Sequence, residues 1–179
     1  DLRVPGRRDP GRDGNRSDAR IDPGVSAASA RASYRRVAQE LGGIGRALIK
    51  RLKPFDVHLI GIKRNNPGAA MEELGLEWVG GADELKVLLR KSDFVVLCLP
   101  VTAESNNLMN PQAFACMRSG AFLINLSRGG LVDPDALLNA LASGQIAGAG
   151  LDVTEIEPIP ADDPILQAPN VILTGHTAW

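Results

Sequence analysis

Histidine is the side chain that most readily gives and takes a proton near neutral pH, and this chain has 2 of them. His176 ends the apolar run "NVILTGH" (170–176), whereas His58 falls inside "DVHLIGI" (56–62), where a packing or edge role is expected. A histidine that moves protons is usually oriented by a carboxylate. "GLDVTEIEP" supplies Asp152 and Glu157 just after another apolar run, although spacing alone does not bring Glu157 to His176. "INLSRGGLVD" sets Arg128 after a third such run, with Gly129 and Gly130 leaving room beside it. A guanidinium there could grip a carboxylate through two parallel hydrogen bonds, or simply close a surface salt bridge.

A second group suits a ligand that carries phosphate. Gly42-Gly43-Ile44-Gly45 opens a helical stretch. Glycines let a backbone approach a pyrophosphate, and the free N–H groups of a helix start favour an anion. The pattern is that of a dinucleotide turn, G-x-G-x-x-G, with Glu40 in place of the first glycine. A glycine-rich helix start without a ligand reads the same way. A carboxylate about 5 Å from a phosphate charge would repel it by roughly 3 kcal/mol at an effective dielectric of about 20. Further on, Lys63 and Arg64 follow "LIGI". An acidic residue at that point would bind ribose hydroxyls, whereas cations suit a 2′-phosphate and lean the site towards NADP. An ordinary solvated strand end is the alternative.

The elements that must position these residues are regular from about Gly42. Ile44, Ala47, Leu48 and Leu52 share one helical face. Strand patterns follow at 56–62, 77–79, 94–100, 121–127, 147–153 and 170–176. Between them lie helix patterns at 69–75, 82–91, 111–117 and 133–144. Pro111 suits a helix start, Asp133-Pro134 a cap and first turn, and Gly144 a helix end. The strands are continuous apolar runs alternating with helices, which predicts a doubly wound parallel sheet of the Rossmann-like α/β class. In such sheets ligands bind beyond the carboxyl ends of the strands, where the polar residues named above all lie. The segment before the glycine turn, Tyr34–Gln39, has no clear strand pattern, so the first strand is expected to be atypical.

Residues 1–39 are rich in Arg, Asp, Gly, Pro, Ser and Ala and show no periodicity, which predicts a disordered or irregular arm ahead of a domain at 40–179. Aspartates interleaved with its arginines, and scarce aromatics, argue against a nucleic-acid arm. A segment not selected as protein, such as a shifted reading frame, has a compatible composition. With 44% hydrophobic residues and a net charge of −1, a soluble globular protein without a polyanionic partner is expected. No run is apolar enough to span a bilayer, no signal peptide opens the chain, and a cytoplasmic location is expected. Cys98 and Cys116 lie in apolar surroundings and read as buried, reduced packing residues with no metal role. The start at Asp1 fits a piece of a longer protein.

Three blocks in this order, "INLSRGGLVDPDALLNAL", "GAGLDVTEIEP" and "NVILTGHTAW", resemble the nucleotide-binding domain of the D-2-hydroxyacid dehydrogenases. That family includes phosphoglycerate dehydrogenase, glyoxylate/hydroxypyruvate reductases and the C-terminal-binding-protein corepressors. The resemblance runs from about Leu41 to Trp179 and implies an oxidoreductase moving a hydride between NAD(P) and a small 2-hydroxy or 2-keto acid. By it, Arg128 holds the substrate carboxylate, His176 exchanges the proton, and Glu157 hydrogen-bonds His176 and favours its protonated form. Asp152 meets the nicotinamide carboxamide. Leu99, Pro100 and Thr102 line the adenosine side, and Leu126 and Ser127 lie near the nicotinamide. The resemblance also implies a homodimer and a substrate domain that this sequence does not display. Gly175 stands where the family has proline, which is expected to loosen His176. A non-catalytic nucleotide-binding or corepressor-like module, or an inactive fragment of such an enzyme, is the alternative.

Overall fold

The computed structural model describes residues 35–39 and 41–178. Seven strands form one parallel sheet: β1 (Arg35–Gln39), β2 (His58–Ile62), β3 (Trp78–Gly80), β4 (Phe94–Leu97), β5 (Ala121–Asn125), β6 (Ile146–Leu151) and β7 (Val171–Leu173). Their order is β3-β2-β1-β4-β5-β6-β7. Among the described residues five α-helices connect them: α1 (Gly43–Leu52), α2 (Pro67–Leu74), α3 (Leu85–Lys91), α4 (Pro111–Cys116) and α5 (Pro134–Ala142). This is the doubly wound sheet expected from the pattern of apolar runs.

The first strand is where the sequence and the structure part. Arg35–Gln39, placed by composition in an irregular arm, forms β1 at the centre of the sheet. Val37 pairs with Ile60 of β2 on one side and with Val95 of β4 on the other. Backbone ladders on both edges can hold a strand that has no apolar run of its own, because the bonds are made by N–H and C=O groups common to every residue. Glu40 and residues 1–34 lie outside the described residues, so the readings placed on them stay expectations.

Alternation across the strands sends side chains to two cores. Ile60, Ile62, Val95, Leu97 and Leu123 pack with Leu88 and Leu89 of α3, Phe114 of α4 and Leu137 and Leu141 of α5. Leu59 and Val79 point the other way, towards Ile49 of α1 and Ala70 of α2. Each buried leucine or isoleucine contributes about 1.5–3 kcal/mol relative to exposure. Helix starts follow local chemistry. Asn110 and Asp133 accept from the backbone N–H of Ala113 and Ala136, each at 3.0 Å, with Pro111 and Pro134 in the first turn. Cys98 is buried, which pushes its thiol up to about 11, while Cys116 is only half-buried, short of full burial. Among the described residues no helix is long and apolar enough to cross a membrane.

Candidate active site

In a parallel sheet every strand delivers its following residue to the same edge. Here that edge carries Gly42 after β1, Lys63 after β2, Leu99 after β4, Leu126 after β5, Asp152 after β6 and Thr174 after β7. The predicted site residues therefore share one rim, because one topological rule places them all.

Glu157 and His176 meet. The His176 Nδ1 lies 2.7 Å from Glu157 Oε2, and the Thr154 N–H donates to Glu157 Oε1 at 3.1 Å. Both carboxylate oxygens are engaged, which fixes the side chain and makes Nδ1 the nitrogen turned to the carboxylate. The Glu157 carboxyl is held below its ordinary value, first by the bond with His176 and next by the Thr154 N–H. The Glu157–Pro158 peptide is cis.

His176 has φ 57°, in the left-handed region that a non-glycine side chain enters at some cost. Asp152 holds the segment around it. The Thr174 hydroxyl donates to Asp152 Oδ1. The Thr177 N–H donates to Oδ1 at 3.0 Å and the Ala178 N–H to Oδ2 at 2.9 Å. Asp152 is buried, and its carboxyl lies below the usual range, first because of the Thr174 hydroxyl and then the Thr177 N–H. These bonds clamp the chain on both sides of His176, so the expected loosening by Gly175 has a counterweight. A side chain at Gly175 would meet nothing within 4 Å.

Arg128 is presented by a braced turn. Asn125, almost fully buried, donates from Nδ2 to the Arg128 carbonyl at 2.8 Å and accepts at Oδ1 from the Ser127 N–H at 3.1 Å. The Ser127 hydroxyl donates to the Leu99 carbonyl, tying this turn to the one after β4. The Arg128 guanidinium donates to the Ser127 carbonyl at 2.6 Å. Gly129 is obligatory here: a Cβ would lie 2.0 Å from the Thr154 oxygen and 2.4 Å from the Glu155 nitrogen. The turns after β5 and β6 therefore touch backbone to backbone.

Arg128, Glu157 and His176 line one cavity of about 450 Å³, together with Val101 and Gly130. Glu157 and His176 also line a second, of about 520 Å³, with Asp152 and Leu173. Lys63, Arg64, Leu99, Pro100 and Thr102 line a third, of about 220 Å³, with Ser105. Gly42, Gly43, Ile44 and Gly45 form the start of α1 and line none of these three; Cβ atoms at Gly42 or Gly43 would meet nothing within 4 Å. Leu126 is half-buried and Ser127 buried, and neither lines these cavities. Sequence reasoning missed Asn125, Thr154, Thr174 and Ser105. Asn125 alone had a signal, a polar residue inside the apolar run "FLINL".

A family model for the "D-isomer specific 2-hydroxyacid dehydrogenase, NAD binding domain" matches residues 39–178. A glyoxylate reductase from Korarchaeum cryptofilum is 43% identical over 138 residues, 77% of this chain and 40% of that protein. A D-3-phosphoglycerate dehydrogenase from Methanocaldococcus jannaschii is 39% identical over 136 residues, 76% of this chain and 25% of that protein. A D-isomer specific 2-hydroxyacid dehydrogenase from Xanthobacter autotrophicus Py2, solved in complex with NADPH and MES, superposes with a TM-score of 0.73 at 36% identity. That match covers 81% of this chain and 44% of the Xanthobacter chain. The chain thus spans less than half the length of each of these relatives. Family model, fold and the order of residues along the strand ends agree, and the chain belongs to the D-isomer specific 2-hydroxyacid dehydrogenase family, as its NAD binding domain.

Proposed function

We propose that this chain is the nucleotide-binding part of an oxidoreductase that moves a hydride between NAD(P) and a small 2-hydroxy or 2-keto acid. The observation that carries the reading is one cavity lined by Arg128, Glu157 and His176. A guanidinium there binds a carboxylate, and a histidine oriented by a carboxylate exchanges a proton with a neighbouring oxygen. When bound, the nicotinamide cofactor supplies or accepts the hydride. The residues present suit it. The start of α1 offers open space at Gly42 and Gly43 for a pyrophosphate, and Ile44 and Gly45 continue that first turn. Leu99, Pro100 and Thr102 would flank the adenosine, and Leu126, Ser127 and Asp152 the nicotinamide end.

In this reading Arg128 holds and polarises the 2-keto acid. His176 gives its proton to the carbonyl oxygen on reduction and removes it on oxidation. Glu157 holds Nδ1, which leaves proton exchange with the substrate to Nε2. Lys63 and Arg64 suit a 2′-phosphate and lean the site towards NADP, and the Xanthobacter neighbour was solved with NADPH. A homodimer, a cytoplasmic location and the absence of a nucleic-acid partner complete the proposal. The test is NADPH oxidation with glyoxylate or hydroxypyruvate. Arg128→Ala is expected to lower turnover by at least about 100-fold while leaving nucleotide affinity within about twofold. Equal loss of both would make Arg128 structural. Nucleotide binding without any turnover in a protein that joins this domain to a substrate domain would favour a non-catalytic binding module.

A further inference from the structure

The loop between β4 and α4 brings a carboxylate to a cavity that Arg64, after β2, also lines. The Thr102 hydroxyl donates to Glu104 Oε2 at 2.7 Å. The loop is braced from within: the Thr102 N–H donates to Ser105 Oγ at 2.7 Å, and the Ser105 hydroxyl donates to the Pro100 carbonyl at 2.9 Å. Ser105 is buried, so this bracket fixes the loop from below. Glu104 and Arg64 line the same cavity of about 210 Å³. Arg64, Leu99 and Ser105 continue into the neighbouring one beside Lys63. The Glu104 carboxyl lies below its ordinary range, first because of the Thr102 hydroxyl, then its own backbone N–H, with the Arg64 charge adding to the effect. Glu104 is thus anionic at neutral pH and within electrostatic reach of Arg64.

We propose that Glu104 sets the choice between NADH and NADPH by opposing, from the facing loop, the cations at the end of β2. This rests on the reading of these cavities as the adenosine end of a nucleotide site. A 2′-phosphate entering there shares the space with the Glu104 charge and competes with it for Arg64. A 2′-hydroxyl brings no charge and can donate to the carboxylate. Lys63 and Arg64 therefore favour the phosphate and Glu104 the hydroxyl, and the net preference is the difference between them. A strand end with two cations does not by itself commit the site to NADP.

The experiment is a titration of the full chain and its Glu104→Gln variant with NADPH and with NADH, followed by nicotinamide fluorescence. Glutamine keeps the size and an acceptor for the Thr102 hydroxyl while removing the charge. The ratio of NADPH to NADH affinity is expected to rise about two- to fivefold, the range for one partly exposed unit charge. The rise should shrink at about 1 M salt, where the screening length is only about 3 Å. Glu104→Ala should shift the ratio in the same direction. An unchanged or lower ratio, with both nucleotides still bound, overturns the role of Glu104 and leaves the cofactor site standing. Failure of both nucleotides to bind the unsubstituted chain overturns the cofactor site itself, and the role of Glu104 with it.

Discussion

Glu157 shows how much one residue can organise. It takes a proton-bearing nitrogen of His176 on one oxygen and the Thr154 N–H on the other, and so joins the turns after β6 and β7. Asp152 does comparable work one turn away, with donors from Thr174, Thr177 and Ala178. Both carboxyls titrate below their ordinary values, so each holds its charge to lower pH in the folded chain than in the unfolded one. The stability they contribute is complete above the unfolded carboxylate pKa values of about 4 and is lost as pH falls through the depressed ones. Thermal unfolding followed by circular dichroism from about pH 6 to about pH 3 should show this loss. Glu157→Gln, which cannot ionise, is expected to be less stable at pH 6 and to lose less on acidification. An identical pH dependence in the variant would show that Glu157 is not coupled to folding. The Glu157–His176 bond was expected only through the family resemblance and the donors to Asp152 not at all, because these partners are 19 to 26 residues apart in sequence and only the folded sheet edge joins them.

Elements set the precision of the site through contacts between successive turns. The turn after β5 presses on the turn after β6 at Gly129, where no side chain fits, and Asn125 braces its base. Gly129→Ala must push the two apart and shift Arg128 relative to Glu157. It is expected to cost about 1–3 kcal/mol in urea unfolding. Gly130→Ala is the control: its closest neighbour would be the Asn106 side-chain oxygen at 3.3 Å, which can move, so it should cost less. Equal small costs would mean the turns are not locked together. The elements themselves were largely legible. Strands buried on both faces read as unbroken apolar runs, and Pro111 and Asp133-Pro134 announce helix starts that the structure shows. The observed strands are shorter than those runs; β4 ends at Leu97, and Leu99 and Pro100 already belong to the loop. The exception was β1, whose Arg35, Arg36 and Gln39 give no apolar signal while β2 and β4 supply its ladders.

At the scale of the whole molecule, the sheet order places β1 between β2 and β4, so the chain winds outward in both directions from the start of α1. This is the switch point at which doubly wound sheets bind dinucleotides. It explains why the rim was foreseeable from sequence: once the strands are parallel, residues following them converge whatever their separation along the chain. Which side chains oppose one another across the rim was not foreseeable, as the presence of Glu104 and Arg64 in one cavity illustrates. The central claim is that the rim holds a nicotinamide nucleotide. Titration of the purified chain with NADPH and, separately, NADH, following nicotinamide fluorescence, tests it most directly. Saturable binding with dissociation constants of about 1–100 μM, or about −8.2 to −5.5 kcal/mol, is the predicted result. A folded chain that binds neither nucleotide would contradict it.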